Sequence, residues 1–167
     1  KIGVRHINFL KNIDGTKVLA VADVMEDRAK QAAESYNSHV KIFRDYRDLL
    51  KLPEIDVVNI CTPSGLHARH SIDALNAGKH VICEKPMCLN ISDADKMIDA
   101  VRNSNKKLFV IKQNRFNLPI KVLKDAVDKG MFGKIYSITS NVIWNRRPEY
   151  YKEEPWRGTK ELDGGAL

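Results

Sequence analysis

The sequence predicts an α/β fold built on a parallel β-sheet that is covered by helices on both faces. Short apolar runs with strand character alternate with helical patterns from Lys1 to about Asn114. The runs are too continuously apolar for strands with one face in water, which indicates a sheet buried on both sides. The candidate strands are residues 1–4, 18–22, 40–43, 56–61, 81–83 and 108–111.

The first two elements meet without a connecting loop. Lys1–Val4 is apolar enough for a strand, and Arg5–Asn12 has the spacing of a helix. A strand followed by a helix in a parallel sheet needs about two to six residues to reverse direction. We therefore expect that residues are missing between Val4 and Arg5; the alternative is that a loop has been deleted.

The later helices are indicated by apolar spacing and by residues that favour helix ends. Asp45 is suited to cap the N-terminus of one helix. Gly78 is suited to follow the C-terminus of another, where the backbone needs a positive φ. The predicted helices are residues 5–12, 27–36, 46–52, 66–77 and 92–103.

The pattern changes near Asn117, where we place a domain boundary. A helix is predicted over Pro119–Gly130. From residue 134 to residue 144 apolar and polar residues alternate, which is typical of a strand in an antiparallel sheet. Because one strand cannot form a stable sheet, residues 1–116 are interpreted as a full domain and residues 117–167 as the truncated start of a second.

Composition is that of a soluble globular protein, with 43% hydrophobic and 29% charged residues. No apolar run approaches the roughly 18 residues that span a bilayer, so no membrane partner is expected. The net charge of +7 comes from scattered basic residues, without the basic block and interleaved aromatics of a nucleic-acid binder. The three cysteines lack metal-site spacing, which predicts buried thiols in a cytoplasmic protein that binds no metal.

Polar side chains follow three of the predicted strands. Asp23 ends the second strand, Thr62 and Pro63 follow the fourth, and Lys85 follows the fifth. In open parallel sheets, ligands bind outside the carboxyl ends of the strands. An acid at the end of the second strand is typical of dinucleotide-binding folds, where it bonds the adenosine ribose; a simple helix cap is the alternative.

Lys85 is the residue best placed for chemistry. Oxidising an alcohol removes a hydride from carbon and a proton from oxygen, and a positioned amine can take that proton. Pro86 disfavours the α region at Lys85 and so holds it extended. Glu84 is expected to point to the opposite face, since successive strand residues alternate. The alternative is that Glu84 and Lys85 are ordinary charged residues of a loop.

Two further groups of residues are suited to recognising hydroxyl and anionic groups. Gln113, Asn114 and Arg115 follow the sixth strand at the same sheet edge. Arginine binds carboxylate or phosphate through paired hydrogen bonds, and aromatic rings stack on sugars or bases. A second cluster combines both types, and its alternative is a surface loop packed by its own rings. This cluster contains Asn145, Arg146, Arg147, Tyr150, Tyr151, Trp156 and Arg157.

Taken in order, these segments resemble the glucose–fructose oxidoreductase/inositol dehydrogenase (Gfo/Idh/MocA) family, over essentially the whole chain. The most specific feature is Glu84-Lys85-Pro86 directly after a strand. The other matching segments are Val18–Asp23, Asp56–Pro63 with His67, Lys112–Arg115, Gly133–Tyr136, Trp156–Arg157 and Asp163–Ala166.

The resemblance implies a Rossmann domain that binds NAD(P), followed by an α/β domain whose open antiparallel sheet carries the substrate. It implies that Lys85 is catalytic. NAD is favoured over NADP, because no arginine follows Asp23. The implied cofactor contacts are Asp23, Thr62, Pro63, His67, Glu84, Lys85, Gln113, Trp156 and Arg157; the implied substrate contacts are Lys85, Asn114, Arg115, Arg146, Arg147, Tyr150 and Tyr151.

Two features depart from the family pattern. The glycine-rich loop is missing at the junction of Val4 and Arg5. The segment that carries the family's second catalytic residue, a histidine, would lie beyond Leu167. The chain is therefore expected to be an incomplete enzyme.

Within the family, three segments most resemble the dehydrogenases of UDP-N-acetylglucosaminuronic acid, which oxidise the sugar 3-hydroxyl. These segments are Val110–Phe116, Arg146–Tyr151 and Trp156–Gly165. The expected substrate is therefore a sugar or nucleotide-sugar, and the family implies a homo-oligomer, either dimer or tetramer. The alternatives are a dehydrogenase of a free sugar or cyclitol, and a non-catalytic ligand sensor that the missing glycine loop would support.

Overall fold

A computed structural model describes residues 2–37 and 39–165. Helices and strands alternate over the first two thirds of the chain. The helices are α1 (Ile2–Leu10), α2 (Glu26–Glu34), α3 (Tyr46–Leu50), α4 (His67–Asn76), α5 (Ile91–Ser104), α6 (Leu118–Asp128) and α7 (Pro148–Lys152), with short 3-10 helices at Ser64–Leu66 and Gln113–Phe116. The strands are β1 (Ala20–Ala22), β2 (Lys41–Phe43), β3 (Val57–Ile60), β4 (His80–Cys83) and β5 (Leu108–Val110).

The strands form two sheets in which all neighbours are parallel, and the predicted parallel pairing is confirmed. β1 pairs with β2, and β4 lies between β3 and β5. Val81 of β4 is opposite Val58 on one side and Leu108 on the other. Because the strands of each sheet are parallel, the carboxyl ends of β3, β4 and β5 lie at one edge of the three-stranded sheet. Those of β1 and β2 lie at one edge of the two-stranded sheet.

One hydrophobic core joins the two sheets. Leu75 of α4 and Val81 and Cys83 of β4 are fully buried, and Leu50 of α3 belongs to the same cluster. Ala20 of β1, in the two-stranded sheet, packs against this cluster. Helices α4 and α5 pack against each other, and α4 also covers β3 and β4. This packing fixes the loops that follow β3 and β4 relative to each other.

Local signals at the helix ends are confirmed. The Asp45 carboxylate accepts the backbone N–H of Arg47 at 2.9 Å and caps α3. Gly78 follows α4 with a φ of 76°, a conformation that glycine adopts without steric cost. Helix α5 begins one residue earlier than predicted, at Ile91, because the Asn90 side chain accepts the N–H of Asp93.

The predicted strand at residues 1–4 is wrong. Residues 2–10 form one unbroken helix, so the predicted break between Val4 and Arg5 falls inside α1. Gly3, Ile7 and Leu10 have the i, i+4, i+7 spacing of one helix face, and Ile7 is buried. Gly3 faces the end of β3, since a Cβ atom there would lie 3.7 Å from the Cβ of Cys61. Lys1 lies outside the described residues.

The predicted antiparallel strand at residues 134–144 is also wrong. This stretch has no helix or strand in the described structure. Its apolar side chains are exposed, Ile143 at 98%. A strand requires a partner for its backbone hydrogen bonds, and residues 2–37 and 39–165 provide none here. Helix α6, which precedes it, buries no residue, and α7 was not predicted.

The domain division at residues 1–116 and 117–167 stays a prediction, and the two parts are in contact. The backbone N–H of Gly65 donates to the carbonyl of Leu162 at 2.9 Å, and Arg28 forms an ion pair with Glu154 at 3.3 Å. The C-terminal segment, residues 153–165, therefore packs on the first part of the chain. Within the described residues, no helix is long and apolar enough to cross a membrane.

Candidate functional site

The loops after β1, β3 and β4 carry the side chains that the sequence singles out. Asp23 follows β1, Thr62 lies two residues after β3, and Glu84 follows β4 directly. Asp23 is half-buried, and its Oδ1 accepts the backbone N–H of Met25 at 2.9 Å. This local bond fixes the carboxylate at the carboxyl end of β1, where the sequence analysis expects it.

Lys85 presents an exposed side chain beside buried neighbours. The residue is exposed, whereas Cys83, two positions earlier, is fully buried in β4. The Lys85–Pro86 peptide bond is cis, which the sequence analysis did not anticipate. The ammonium group is therefore carried by a backbone anchored in the sheet, while the side chain itself stays accessible to a ligand.

Glu84 is held by a histidine that the sequence analysis missed. The Nε2 atom of His6 lies 2.9 Å from Oε1 of Glu84, and both side chains are largely buried, at 15% and 12% exposure. The other carboxylate oxygen of Glu84 accepts the backbone N–H of Lys85 at 3.1 Å. Glu84 is thus shielded from solvent, whereas Lys85 is exposed.

His6 reaches a second strand through its other ring nitrogen. Nδ1 lies 3.2 Å from Oδ1 of Asn59 in β3. His6 sits on α1 next to the buried Ile7. The partners of His6 lie 53 and 78 positions away in the sequence. The one local signal for His6 is its position before an apolar residue near the start of a helix.

His67, expected near the cofactor, is bonded to backbone carbonyls. It is 1% exposed, and its Nδ1 and Nε2 lie 2.7 Å from the oxygen of Pro86 and 2.9 Å from that of Thr62. A neutral imidazole carries one N–H and donates to one of these carbonyls, whereas a ring with protons on both nitrogens donates to both. The side chain thus joins the loop after β3 to the loop after β4.

Thr62 contacts a second buried histidine. Its hydroxyl lies 3.2 Å from Nδ1 of His70, whose ring is 4.2 Å from that of Tyr46. Burial, assisted by the neighbouring Arg69 guanidinium, lowers the pKa of His70 to about 4. His70 is therefore neutral near pH 7. Pro63, which follows Thr62, is half-buried at the start of the short 3-10 helix.

Of the three cysteines that the sequence predicts to be buried, only Cys83 is buried in the core, and Cys61 and Cys88 are partly exposed. All three are free thiols. Burial, and after it the Glu84 carboxylate, raises the pKa of Cys61 to about 12, and burial raises the pKa of Cys83 to about 11. The thiolate is the reactive form of cysteine, so neither residue is a nucleophile at neutral pH. Nowhere in the described ranges do three His, Cys, Asp or Glu side chains form a group that could hold a metal ion.

The remaining predicted cofactor and substrate residues divide into two groups. Gln113, Asn114 and Arg115 form the short 3-10 helix after β5, and all three are exposed. Among the described residues, their side chains make no hydrogen bond to the Lys85 loop. Their role stays a prediction that depends on their position at the carboxyl edge of the same sheet.

The second group is a cluster of stacked cations and rings. The Arg157 guanidinium lies 3.9 Å from the Tyr150 ring centre and donates to the Tyr150 carbonyl at 3.0 Å. The Arg146 guanidinium lies 4.6 Å from the same ring and 4.1 Å from that of Trp144. Tyr151 meets Tyr150 edge-on at 5.2 Å. These contacts lie within the cluster, as the alternative of a surface loop packed by its own rings describes, and a role of the cluster in binding stays a prediction. Arg147 is exposed and directly precedes α7, without a side-chain hydrogen bond to the helix end. Trp156 is half-buried, and the centre of its ring lies 5.5 Å from the Arg157 guanidinium.

The C-terminal segment packs against the loops after β3 and β4. A Cβ atom at Gly65 would lie 2.3 Å from the carbonyl oxygen of Glu161, so only glycine allows this approach. A cavity of about 320 Å³ lies between the loop after β3, the loop after β4 and the C-terminal segment. Its wall includes Ser64 from the first loop, Asn90 from the second and Lys160 from the C-terminal segment.

Comparison with known proteins identifies relatives of the whole chain. Residues 1–112 match the model of the oxidoreductase family with an NAD-binding Rossmann fold. The myo-inositol 2-dehydrogenase of Thermotoga maritima is 37% identical over 142 residues, which cover 84% of this chain and 42% of that protein. The D-glucoside 3-dehydrogenase of Escherichia coli is 31% identical over 138 residues, covering 83% of this chain and 39% of that protein.

Two solved structures are similar over nearly the full chain. The WlbA dehydrogenase of Chromobacterium violaceum, crystallised with NADH and UDP-GlcNAcA, has a TM-score of 0.93 and 39% identity, covering 99% of this chain and 48% of that one. The WlbA dehydrogenase of Bordetella pertussis, with the same two ligands, has a TM-score of 0.91 and 38% identity, covering 99% of this chain and 49% of that one. The chain spans about half the length of the relatives it matches.

Proposed function

This chain belongs to the oxidoreductase family with an NAD-binding Rossmann fold, and from that premise we propose that it acts in hydride transfer between a hydroxyl-bearing sugar carbon and NAD. The observation that carries the proposal is the position of Lys85. Its side chain is exposed at the carboxyl edge of β4, on a backbone that partners hold on both sides. Ligands of open parallel sheets bind at this edge.

The residues that follow β1, β3 and β4 fit a dinucleotide. The carboxylate of Asp23 is suited to accept hydrogen bonds from the adenosine ribose, and its negative charge disfavours the 2′-phosphate of NADP. Thr62, Pro63 and Glu84 would line the same crevice. The remaining cofactor contacts are proposed to come from Gln113, Trp156, Arg157 and, through its backbone, His67.

The chemistry is an alcohol oxidation whose proton and hydride leave separately. When bound, NAD supplies the hydride acceptor. Lys85, as the neutral amine, would take the hydroxyl proton on its Nζ atom while the hydride leaves the carbon for NAD, so that a carbonyl forms. Glu84 does not compete for this role, because both its oxygens are engaged by His6 and by the backbone of Lys85.

For the substrate we favour a sugar linked to a nucleoside diphosphate. Arg146 and Arg147 are exposed cations near the rings of Tyr150 and Tyr151, and the chain carries a net charge of +7. Such a cluster suits a diphosphate and a sugar carboxylate. The similarity to two structures that contain UDP-GlcNAcA supports this choice, and Asn114 and Arg115 would bind the sugar.

The second candidate is a dehydrogenase of a free sugar or cyclitol. The names of curated relatives favour it, because they include an inositol and a glucoside dehydrogenase. The non-catalytic alternative rested on a loop missing at Val4, whereas residues 2–10 form one unbroken helix with no sign of a deletion at that point. We also propose a cytoplasmic location, which the three unpaired cysteines favour.

The test is to compare Lys85→Met with the unchanged protein in an assay of NAD reduction. UDP-GlcNAcA and myo-inositol serve as alternative substrates, and NADH binding is followed separately by fluorescence. We expect Lys85→Met to lower turnover at least ~10²-fold, the usual contribution of general acid–base catalysis, while NADH still binds. The exposed Lys129 serves as control through Lys129→Met. Equal turnover of Lys85→Met and the unchanged protein would remove Lys85 from the mechanism.

A further inference from the structure

Two histidines from separate helices hold the Glu84-Lys85-Pro86 tripeptide from opposite ends. His6 belongs to α1 and bonds Glu84, whereas His67 begins α4 and bonds the carbonyl of Pro86. Neither histidine is near the tripeptide in sequence. The tripeptide itself follows a fully buried strand residue, Cys83, and ends in an accessible loop.

The contact at Glu84 reaches the backbone of Lys85 in two steps. His6 Nε2 fixes one carboxylate oxygen of Glu84 at 2.9 Å, and the other oxygen accepts the Lys85 N–H at 3.1 Å. A carboxylate with both oxygens bonded cannot rotate without breaking one contact. The two side chains are only 15% and 12% exposed, so water does not readily replace the His6–Glu84 hydrogen bond, and its loss costs free energy.

The contact at Pro86 is more deeply buried. His67 is 1% exposed and lies 2.7 Å from the Pro86 oxygen through Nδ1, while Nε2 lies 2.9 Å from the Thr62 oxygen. A buried carbonyl that loses its donor costs free energy, so the ring fixes the distance between the two loops. The Lys85 side chain is exposed, and the position of its Nζ therefore depends on the position of its backbone.

We propose that His6 and His67 are positioning residues that hold the Lys85 backbone where its amine group meets the substrate hydroxyl. Neither touches the reacting atoms. The inference rests on the proposed role of Lys85 in proton transfer. A misplacement of about 1 Å can cost ~10²-fold in rate, so loss of either contact should lower kcat far more than it weakens cofactor binding.

The geometry allows a reciprocal test with asparagine and glutamine. The amide nitrogen of asparagine lies near the position of a histidine Nδ1, and that of glutamine near the position of Nε2. His6 acts on Glu84 through Nε2, so H6Q should keep the contact and H6N should lose it. His67 acts on Pro86 through Nδ1, so H67N should keep the contact and H67Q should lose it.

The experiment measures kcat, KM, NADH affinity and amide hydrogen exchange of Lys85 for these four variants. The exposed His39 serves as control through His39→Asn. We expect kcat to fall roughly 10- to 100-fold in H6N and H67Q, and less than about threefold in H6Q and H67N. The Lys85 amide should exchange faster in H6N than in H6Q, even without substrate.

Equal effects of asparagine and glutamine at both positions, in proteins that remain folded, would overturn the proposal. So would a fall in kcat that follows the loss of thermal stability and leaves the Lys85 amide unchanged. A separate failure is recognisable: if Lys85→Met keeps full turnover, the proposed function is wrong. If Lys85→Met is inactive and all four histidine variants are fully active, only the positioning role is wrong.

Discussion

His70 makes folding stability depend on pH through a single buried ring. Burial lowers its pKa from 6.5 to about 4. As the pH falls below 6.5, the unfolded chain takes up this proton first, so stability that is present above pH 6.5 is lost toward pH 4. The loss amounts to roughly 3 kcal/mol at most, at 1.36 kcal/mol for each unit of pKa difference.

We expect His70→Asn to flatten this pH dependence. Asparagine does not titrate, and its side-chain amide can still bond the Thr62 hydroxyl near the position of Nδ1. The measurement is the urea midpoint of unfolding between pH 4 and pH 7, with His39→Asn as the exposed control. If His70→Asn and the unchanged protein lose the same stability over this range, His70 is not the group responsible.

At the residue scale, the sequence predicted those features whose causes are local. Asp45 caps α3 and Gly78 follows α4 because two or three neighbouring residues determine each conformation. Lys85 was identified because the strand before it and the proline after it are adjacent in sequence. His6 was missed because its bond to Glu84 spans 78 positions, and no local pattern contains such a contact.

At the scale of elements, Gly65 controls the docking of the C-terminal segment. Its N–H bonds the Leu162 carbonyl, and an added Cβ would lie 2.3 Å from the Glu161 carbonyl. We expect Gly65→Ala to release the segment, because backbone atoms cannot yield as a flexible side chain can. Trypsin should cut Gly65→Ala at Arg157 or Lys160 about tenfold faster than the unchanged protein. A loss of about 1.4 kcal/mol in the free energy of docking raises the population of the undocked segment by this factor.

Gly3→Ala is the matched control for this experiment. Its Cβ would meet Cys61 at 3.7 Å, an ordinary van der Waals distance. Equal cleavage rates in Gly65→Ala, Gly3→Ala and the unchanged protein would show that the segment does not dock through Gly65.

The elements that were predicted wrongly are those whose structure depends on distant partners. The five described strands come from short, mainly apolar runs, so composition indicates them, although β2 and β5 expose side chains such as Ile42 and Phe109. Residues 2–4 are equally apolar, but they form the first turn of α1, which packs on β3 and α2. Residues 134–144 alternate as a strand does, yet alternation supplies no hydrogen-bonding partner.

At the scale of the molecule, residues 134–144 leave apolar side chains exposed. Ile143 is 98% exposed and Ile138 and Val142 are each 80% exposed. Apolar surface of this extent favours association. We expect the protein to be a dimer or tetramer by light scattering, and Ile143→Glu to weaken that association.

Ile91→Glu is the control for this prediction, because Ile91 is also an exposed isoleucine, at 81%, but lies at the start of α5. Equal masses for Ile143→Glu and Ile91→Glu would exclude residues 134–144 from the interface. A monomer at all concentrations would contradict the predicted oligomer itself.

The central claim is that Lys85 takes the proton of the substrate hydroxyl. The most direct test is a crystal structure of the protein with NAD and UDP-GlcNAcA bound. We expect the Lys85 Nζ atom within about 2.6–3.2 Å of a sugar hydroxyl whose carbon faces the nicotinamide ring. A Lys85 side chain directed into bulk solvent, away from both the ring and the sugar, would contradict the claim.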